Sequence, residues 1–205
     1  MTAPLSPAVY LVVSGAGPTA DIALLLTLAG EAGWTVCVTA TGAGAAPLDV
    51  AQVAPLSPYP LRLDYEKPSP LWPPADLVIV APATFNTLNK LAAGIADSIG
   101  LSLIAECLGL DVPTVVAPSL NPALARHPRY RASVEQLRSW GVQVLEGPRS
   151  ESPGSMRPWS EIVRAGGAQL RRPLVERAGA AHSSGRGWVE QEPPQRSPDP
   201  PQAAP

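Results

Sequence analysis

Four runs of branched apolar residues limit what this chain can fold into more than any other feature. They are Val9–Val13 (VYLVV), Thr35–Thr39 (TVCVT), Leu77–Ala81 (LVIVA) and Pro113–Ala117 (PTVVA). All are rich in Val and Ile with little alternation, the pattern of strands buried on both faces. A fifth, shorter run is Val142–Leu145 (VQVL). Helical patterns fall between most of them: Ala20–Ala32, Thr87–Leu108, and Pro128–Trp140 with Tyr130, Val134 and Leu137 on one face. Gly33 and Gly141 each stand between a helix and a strand, where C′ glycines are common. Alternating β and α elements predict a parallel sheet with right-handed crossovers. The expected class is α/β, a Rossmann-like three-layer fold whose mainly parallel sheet has five or six strands.

One stretch breaks the pattern. Thr41 to Pro74 is proline-interrupted and reads as a long irregular loop with a short helix near Leu48–Val53. Loops of that length in compact domains are usually functional. Proline decides the other boundary. Seven of the 26 prolines lie in residues 171–205, a segment nearly devoid of aliphatic residues. Such a segment buries too little apolar area to offset the entropy of ordering it. The expectation is one domain over residues 8–170 and a disordered Pro-rich tail over 171–205.

With 45% hydrophobic and 16% charged residues the body reads as globular. A net charge of −2 gives no bulk reason to expect nucleic acid or an anionic membrane surface as a partner. The start of the chain has neither a basic n-region nor an apolar run long enough for a signal or a span. Cys37 and Cys107 sit in apolar runs without metal-like spacing. A soluble, reduced, cytoplasmic protein is the simplest expectation.

In a parallel α/β sheet, ligands bind beyond the carboxyl ends of the strands. The segments there are Ser14–Thr19 (SGAGPT), Thr39–Pro47 (TATGAGAAP), Pro82–Thr87 (PATFNT) and Pro118–Asn121 (PSLN). They are small, Gly-rich or hydroxyl- and amide-bearing, and hold no Lys, Arg, Asp, Glu or His. Gly15–Ala20 (GAGPTA) fits G-x-G-x-x-G/A between strand and helix, a setting in which backbone N–H groups hold phosphate. The lesser reading is a tight turn needing small residues. The acidic residue that an NAD site wants after the second strand is absent, since Thr39, Ala40 and Thr41 stand there. Thr84 or Asn86 suits a helix cap, yet one cap does not use three polar residues. Asn121 either begins an Asx-turn before Pro122 or offers its amide to a ligand. His127, before Pro128, reads as a capping or surface residue, and His182 lies in the tail. No Ser/His/Asp set, paired carboxylates or metal-ligand spacing occurs. A neutral polar site short of acid–base groups suits a cofactor that brings its own chemistry.

Two of these motifs together resemble those of the flavin-containing cysteine decarboxylases. Pro82–Thr87 resembles their PASANT motif, and Pro118–Pro128 (PSLNPALARHP) resembles their P-x-M-N-x-x-M-W motif, with Leu120 and Leu124 in place of methionines. The closing stretch GPRSESPGSMRPWSEIV is also similar, so the resemblance runs from about Val9 to Leu170. That family includes phosphopantothenoylcysteine decarboxylase and the peptidyl-cysteine decarboxylases of lantibiotic synthesis. The resemblance implies FMN as cofactor and a homo-oligomer, usually trimeric, with flavin near a subunit interface. It implies a small-molecule or peptide substrate. By position, Gly15, Ala16, Gly17 and Thr41 would lie by FMN. Thr84, Phe85, Asn86 and Thr87 would bind its phosphate and ring, Ser119 would lie near the flavin, and Asn121 would hold a substrate carboxylate. No catalytic residue is assigned. The family's catalytic histidine falls at Pro68 or a neighbour, and no histidine occurs in residues 1–120. The family's closing cysteine is missing too. Loss of a general base typically costs about 10²–10⁴-fold. Asp49, Tyr59, Asp64, Tyr65 and Glu66 of the long loop are the candidate replacements. A flavin-binding subunit without turnover is the alternative. A flavin prenyltransferase or a nicotinamide enzyme fits the neutral SGAGPT loop and the Asn-Thr pair less well.

Overall fold

The computed structural model describes residues 6–41, 44–64, 72–147 and 155–171. Its sheet is built from β1 (Ala8–Val13), β2 (Thr35–Ala40), β3 (Leu77–Ala83), β4 (Thr114–Pro118) and β5 (Gln143–Val144). All four pairings are parallel, in the order β2-β1-β3-β4-β5. Every residue of β1, β3 and β4 is buried, as their non-alternating sequences require. Successive side chains of β1 feed two cores. Val9, Leu11 and Val13 pack with Leu25, Val38, Ile79 and Ile162 on one face, and Tyr10 and Val12 pack with Val80, Leu88, Ile104 and Leu137 on the other.

The helices divide accordingly. Helix α1 (Ile22–Glu31) follows a short 3-10 turn, Gly17–Asp21, and α7 (Trp159–Leu170) packs beside it. Helices α3 (Phe85–Ala92), α4 (Ile99–Gly109) and α6 (Pro128–Ser139) cover the opposite face. Two one-turn helices, α2 (Val50–Val53) and α5 (Pro122–Ala125), lie in the connections. The described part of the long loop contains α2 and returns along the outer edge of β2 through a parallel bridge between Thr39 and Arg62. Among the described residues no helix is long and apolar enough to cross a membrane.

The pattern Thr87–Leu108, expected as one helical stretch, is two helices. Helix α3 stops at Ala93–Gly94, where Gly94 has φ 70°, and Ser98 restarts the chain as the N-cap of α4. A glycine adopts that left-handed geometry without steric cost. Among the described residues the sheet has five strands, the lower of the expected counts, and β5 is only two residues long. Helix α7 was not expected. Its Gly166 lets the helix lie close to the sheet, since a Cβ there would come within 2.9 Å of Leu77 Cδ2.

Burial also sets the ionisation of three core groups. It pushes the Cys37 thiol up to about 12. Burial, with the Glu106 charge, pushes Cys107 to about 11. The Tyr10 phenol, raised to about 12 chiefly by burial, donates to the Pro73 carbonyl at 2.8 Å.

Candidate functional site

Strand order places the site. The chain steps from β1 out to β2, then returns to the other side of β1 as β3. The connections therefore part between the carboxyl ends of β1 and β3, the crevice where open parallel sheets take ligands. A cleft of about 540 Å³ opens there, lined by Gly15, Ala16, Gly17, Thr84, Phe85, Asn86, Ser119, Leu120, Asn121 and Leu124. That is within the range of ~300–1,000 Å³ typical of small-molecule sites.

Ser14 ties its walls together. Its hydroxyl donates to the Pro82 carbonyl at 2.6 Å and accepts from the Thr84 N–H at 2.9 Å. Its backbone N–H also donates to Pro82 at 3.2 Å. A register shift in β3 between Val80 and Ala83 accompanies this contact. On the other side Thr19 Oγ1 donates to the Ser14 carbonyl at 2.8 Å and accepts from the Ala16 N–H at 3.3 Å, closing the Gly15–Gly17 turn. A Cβ built on Gly17 would meet nothing within 4 Å, so the turn leaves open space above it. The Ser119 N–H donates to the Ala83 carbonyl at 2.9 Å, setting the β4 loop beside the β3 loop.

Caps and candidate ligand groups are the same residues. Thr84 is the N-cap of α3: its hydroxyl accepts from the Thr87 N–H at 3.3 Å and shares a hydrogen bond with the Thr87 hydroxyl at 2.9 Å. Thr87 is buried. Phe85 and Asn86 occupy the first turn, whose N–H groups have no acceptor within the helix. Asn121 caps α5, its Oδ1 accepting from the Leu124 N–H at 2.9 Å. That bond engages Oδ1 and leaves the NH₂ without a hydrogen bond to any described residue. Asn89 is structural, accepting from Ser133 on α6 at 2.7 Å.

The structure thus brings eight of the ten expected residues to the cleft wall: Gly15, Ala16, Gly17, Thr84, Phe85, Asn86, Ser119 and Asn121. Thr87 does not line the cleft; it is buried and its hydroxyl bonds that of Thr84. Thr41 is buried, donates its N–H to the Val13 carbonyl at 2.8 Å, and is not part of the lining. Sequence reasoning gave Ser14 no role, although a serine directly after a buried strand was the available signal. His127 caps α6, its Nδ1 accepting from the Arg129 N–H at 3.0 Å, and its ring meets Phe85 edge-on at 5.4 Å. Asp49 spends its carboxylate capping α2. Tyr59 packs against the core, Asp64 is exposed, and neither lines the cleft. Tyr65, Glu66, the Pro68 position and residues 172–205 lie outside the described residues.

Among the described residues, none of the side chains lining the cleft is ionisable. An anionic group seated there would rely on backbone N–H groups, hydroxyls, amides and the N-terminal dipole of α3. The donors, the open space above Gly17 and the volume fit a flavin mononucleotide. Among the described residues no cluster of His, Cys, Asp and Glu could hold a metal ion.

A parallel α/β sheet with a neutral, backbone-rich crevice at its switch point defines a nucleotide-type cofactor protein as a class. The flavoprotein family model matches residues 7–170, and the chain belongs to that family. Among curated relatives, the coenzyme A biosynthesis bifunctional protein CoaBC of Thermococcus kodakarensis is 33% identical over 89 residues, covering 43% of this chain and 22% of the relative. A cysteine/cysteine sulfinic acid decarboxylase from an unknown prokaryotic organism is 32% identical over 128 residues, covering 55% and 34%. The chain spans about a third or less of the length of these relatives. Among solved structures, a PPC decarboxylase mutant complexed with pantothenoylaminoethenethiol superposes with a TM-score of 0.68 at 22% identity, covering 78% of this chain and 96% of that one. At that identity the likeness shows the fold.

Proposed function

We propose that this chain binds FMN in the cleft between the ends of β1, β3 and β4. We further propose that it oxidises a small or peptidyl substrate bearing a cysteine-type thiol and carboxylate, with loss of carbon dioxide. The observation that carries the reading is the convergence of Gly15–Gly17, Thr84–Asn86 and Ser119–Asn121 on one uncharged cleft at the switch point. Membership of the flavoprotein family supports it, as do relatives and neighbours described as cysteine decarboxylases, FMN-dependent in two cases.

In this reading FMN, when bound, supplies a two-electron acceptor. The chain's own residues do the holding. The Phe85 and Asn86 N–H groups and the Asn86 amide receive the phosphate or ring edge. The Gly15–Gly17 turn, kept open by Ser14 and Thr19, admits the cofactor without a side chain in its way. Asn121, its Oδ1 held by Leu124, donates from its NH₂ to the substrate carboxylate. Leu120 and Leu124 exclude water beside it. Two buried free thiols, Cys37 and Cys107, suit a reducing cytoplasm. The implied assembly is a homotrimer.

One observation favours a second reading, a flavin-binding subunit without turnover. Among the described residues no ionisable side chain lines the cleft, and His127 already uses Nδ1 as a cap acceptor. Anaerobic mixing of the FMN-loaded chain with a cysteine-ended peptide separates the two. Bleaching of the flavin with stoichiometric carbon dioxide release supports the oxidative decarboxylation. Unchanged flavin absorbance with no carbon dioxide supports the subunit.

A further inference from the structure

The positive charge missing from the cleft is gathered elsewhere. A second cavity, of about 550 Å³, lies beyond the edge strand β5, between the C-terminal half of α6 and α7. It shares no lining residue with the cleft. Three arginines from three parts of the chain face it: Arg138 on α6, Arg157 just before α7, and Arg164 on α7.

Two of the three are held in place by main-chain acceptors. Arg138 donates through Nη2 to the Val144 carbonyl at 3.2 Å and to Glu146 Oε2 at 2.9 Å. Arg157 donates through Nε to the Glu146 carbonyl at 2.8 Å, and its Nη1 reaches Glu161 Oε2 at 3.4 Å. A guanidinium carries five N–H donors, so both keep donors in reserve. Arg164 is exposed and makes no hydrogen bond or ion pair with any described residue. Among the described lining residues, three arginines stand against Glu146 and Glu161, one positive charge in excess. Planar guanidinium groups fixed in orientation match the oxygens of phosphate, and pre-orientation removes part of the entropic cost of binding. The cavity is larger than a lone phosphate needs and matches a small organic molecule.

We infer that this cavity is a binding site for a phosphate-bearing small molecule, with Arg164 as its free ligand and Arg138 and Arg157 as the oriented walls. Glu161 competes with the ligand for Arg157, and Glu146 sets the orientation of both wall arginines. The site is separate from the cleft and does not depend on what the cleft binds.

The test is calorimetric titration of the full chain, as purified, with inorganic pyrophosphate at low ionic strength. Saturable binding is expected, weakened ~5–10-fold in Arg164→Gln and tightened ~2–5-fold in Glu161→Gln, the sign following from the charge removed. Asn86→Asp, which adds a negative charge to the cleft, should leave it unchanged. Arg164→Gln removes no hydrogen bond or ion pair with a described residue, and a matching denaturation midpoint verifies its fold. Absence of saturable binding overturns the inference. So does binding abolished by Asn86→Asp and indifferent to Arg164→Gln, which assigns the ion to the cleft. Affinity unaltered by both Arg164→Gln and Glu161→Gln overturns it as well.

Discussion

The switch-point cleft and the cavity beyond β5 are nearly equal in size, about 540 and 550 Å³, and opposite in chemistry. Among the described residues the cleft has no ionisable lining, and it offers backbone N–H groups, hydroxyls and amides. The cavity is walled by three arginines and two glutamates. The difference shows two ways to hold an oxyanion. A helix start between buried strands is rigid and supplies fixed dipoles without side-chain entropy loss. A sheet edge has no such dipoles, so long charged side chains must be oriented there one by one.

The contrast can be broken most sharply by placing charge in the neutral region. Asn86→Asp should raise the FMN dissociation constant about 100-fold, since juxtaposed like charges cost several kcal/mol; fluorescence titration measures it. Next comes the scaffold of the cleft. Ser14→Ala removes an acceptor for Thr84 N–H and a donor to Pro82 from a buried position, and should lower unfolding free energy by about 1–3 kcal/mol in a denaturant titration. Arg164→Gln should move the same quantity by no more than about 0.5 kcal/mol.

Alkaline pH acts on neither region directly. Burial raises Cys37 and Cys107 above an ordinary thiol, so in the folded chain both keep their protons to about 12 and about 11. The unfolded chain releases them earlier. Stability is therefore full below the ordinary thiol range and falls as pH rises through the folded values. Chemical denaturation at stepped alkaline pH should show that fall, and a Cys37→Ala, Cys107→Ala double variant should show a shallower one. Salt separates the two regions more gently than the cleft charge does. Screening should weaken pyrophosphate binding at the arginine cavity several-fold between low and physiological ionic strength. FMN affinity at the cleft should move by less than about threefold, because no side-chain charge contributes there.

Most of the sheet was legible in the sequence because β1 to β4 are buried on both faces and leave runs of Val and Ile that little else explains. Strand β5 is an edge of two residues, and its run VQVL is correspondingly weak. The division of Thr87–Leu108 turned on Gly94, whose positive φ no periodicity announces. Helix α7 was hidden because paired glycines, Gly166 and Gly167, interrupt its pattern, although close packing on Leu77 and Trp34 is what Gly166 permits. At the site, Thr84–Asn86 and Ser119–Asn121 could be found because they follow strands. Thr41 followed a strand as well, yet its N–H pairs with Val13 and its side chain is buried. Whether a capping residue also faces a cleft depends on strand order, which local sequence does not encode. Thr84 and Asn121 turned out to do both.

The most direct measurement is the visible absorbance spectrum of the purified full chain, before and after added FMN, with any released chromophore identified. The account predicts flavin bands, a chromophore that releases as FMN, and loss of both in Asn86→Asp. A wild-type protein that is colourless and takes up no added FMN would contradict it.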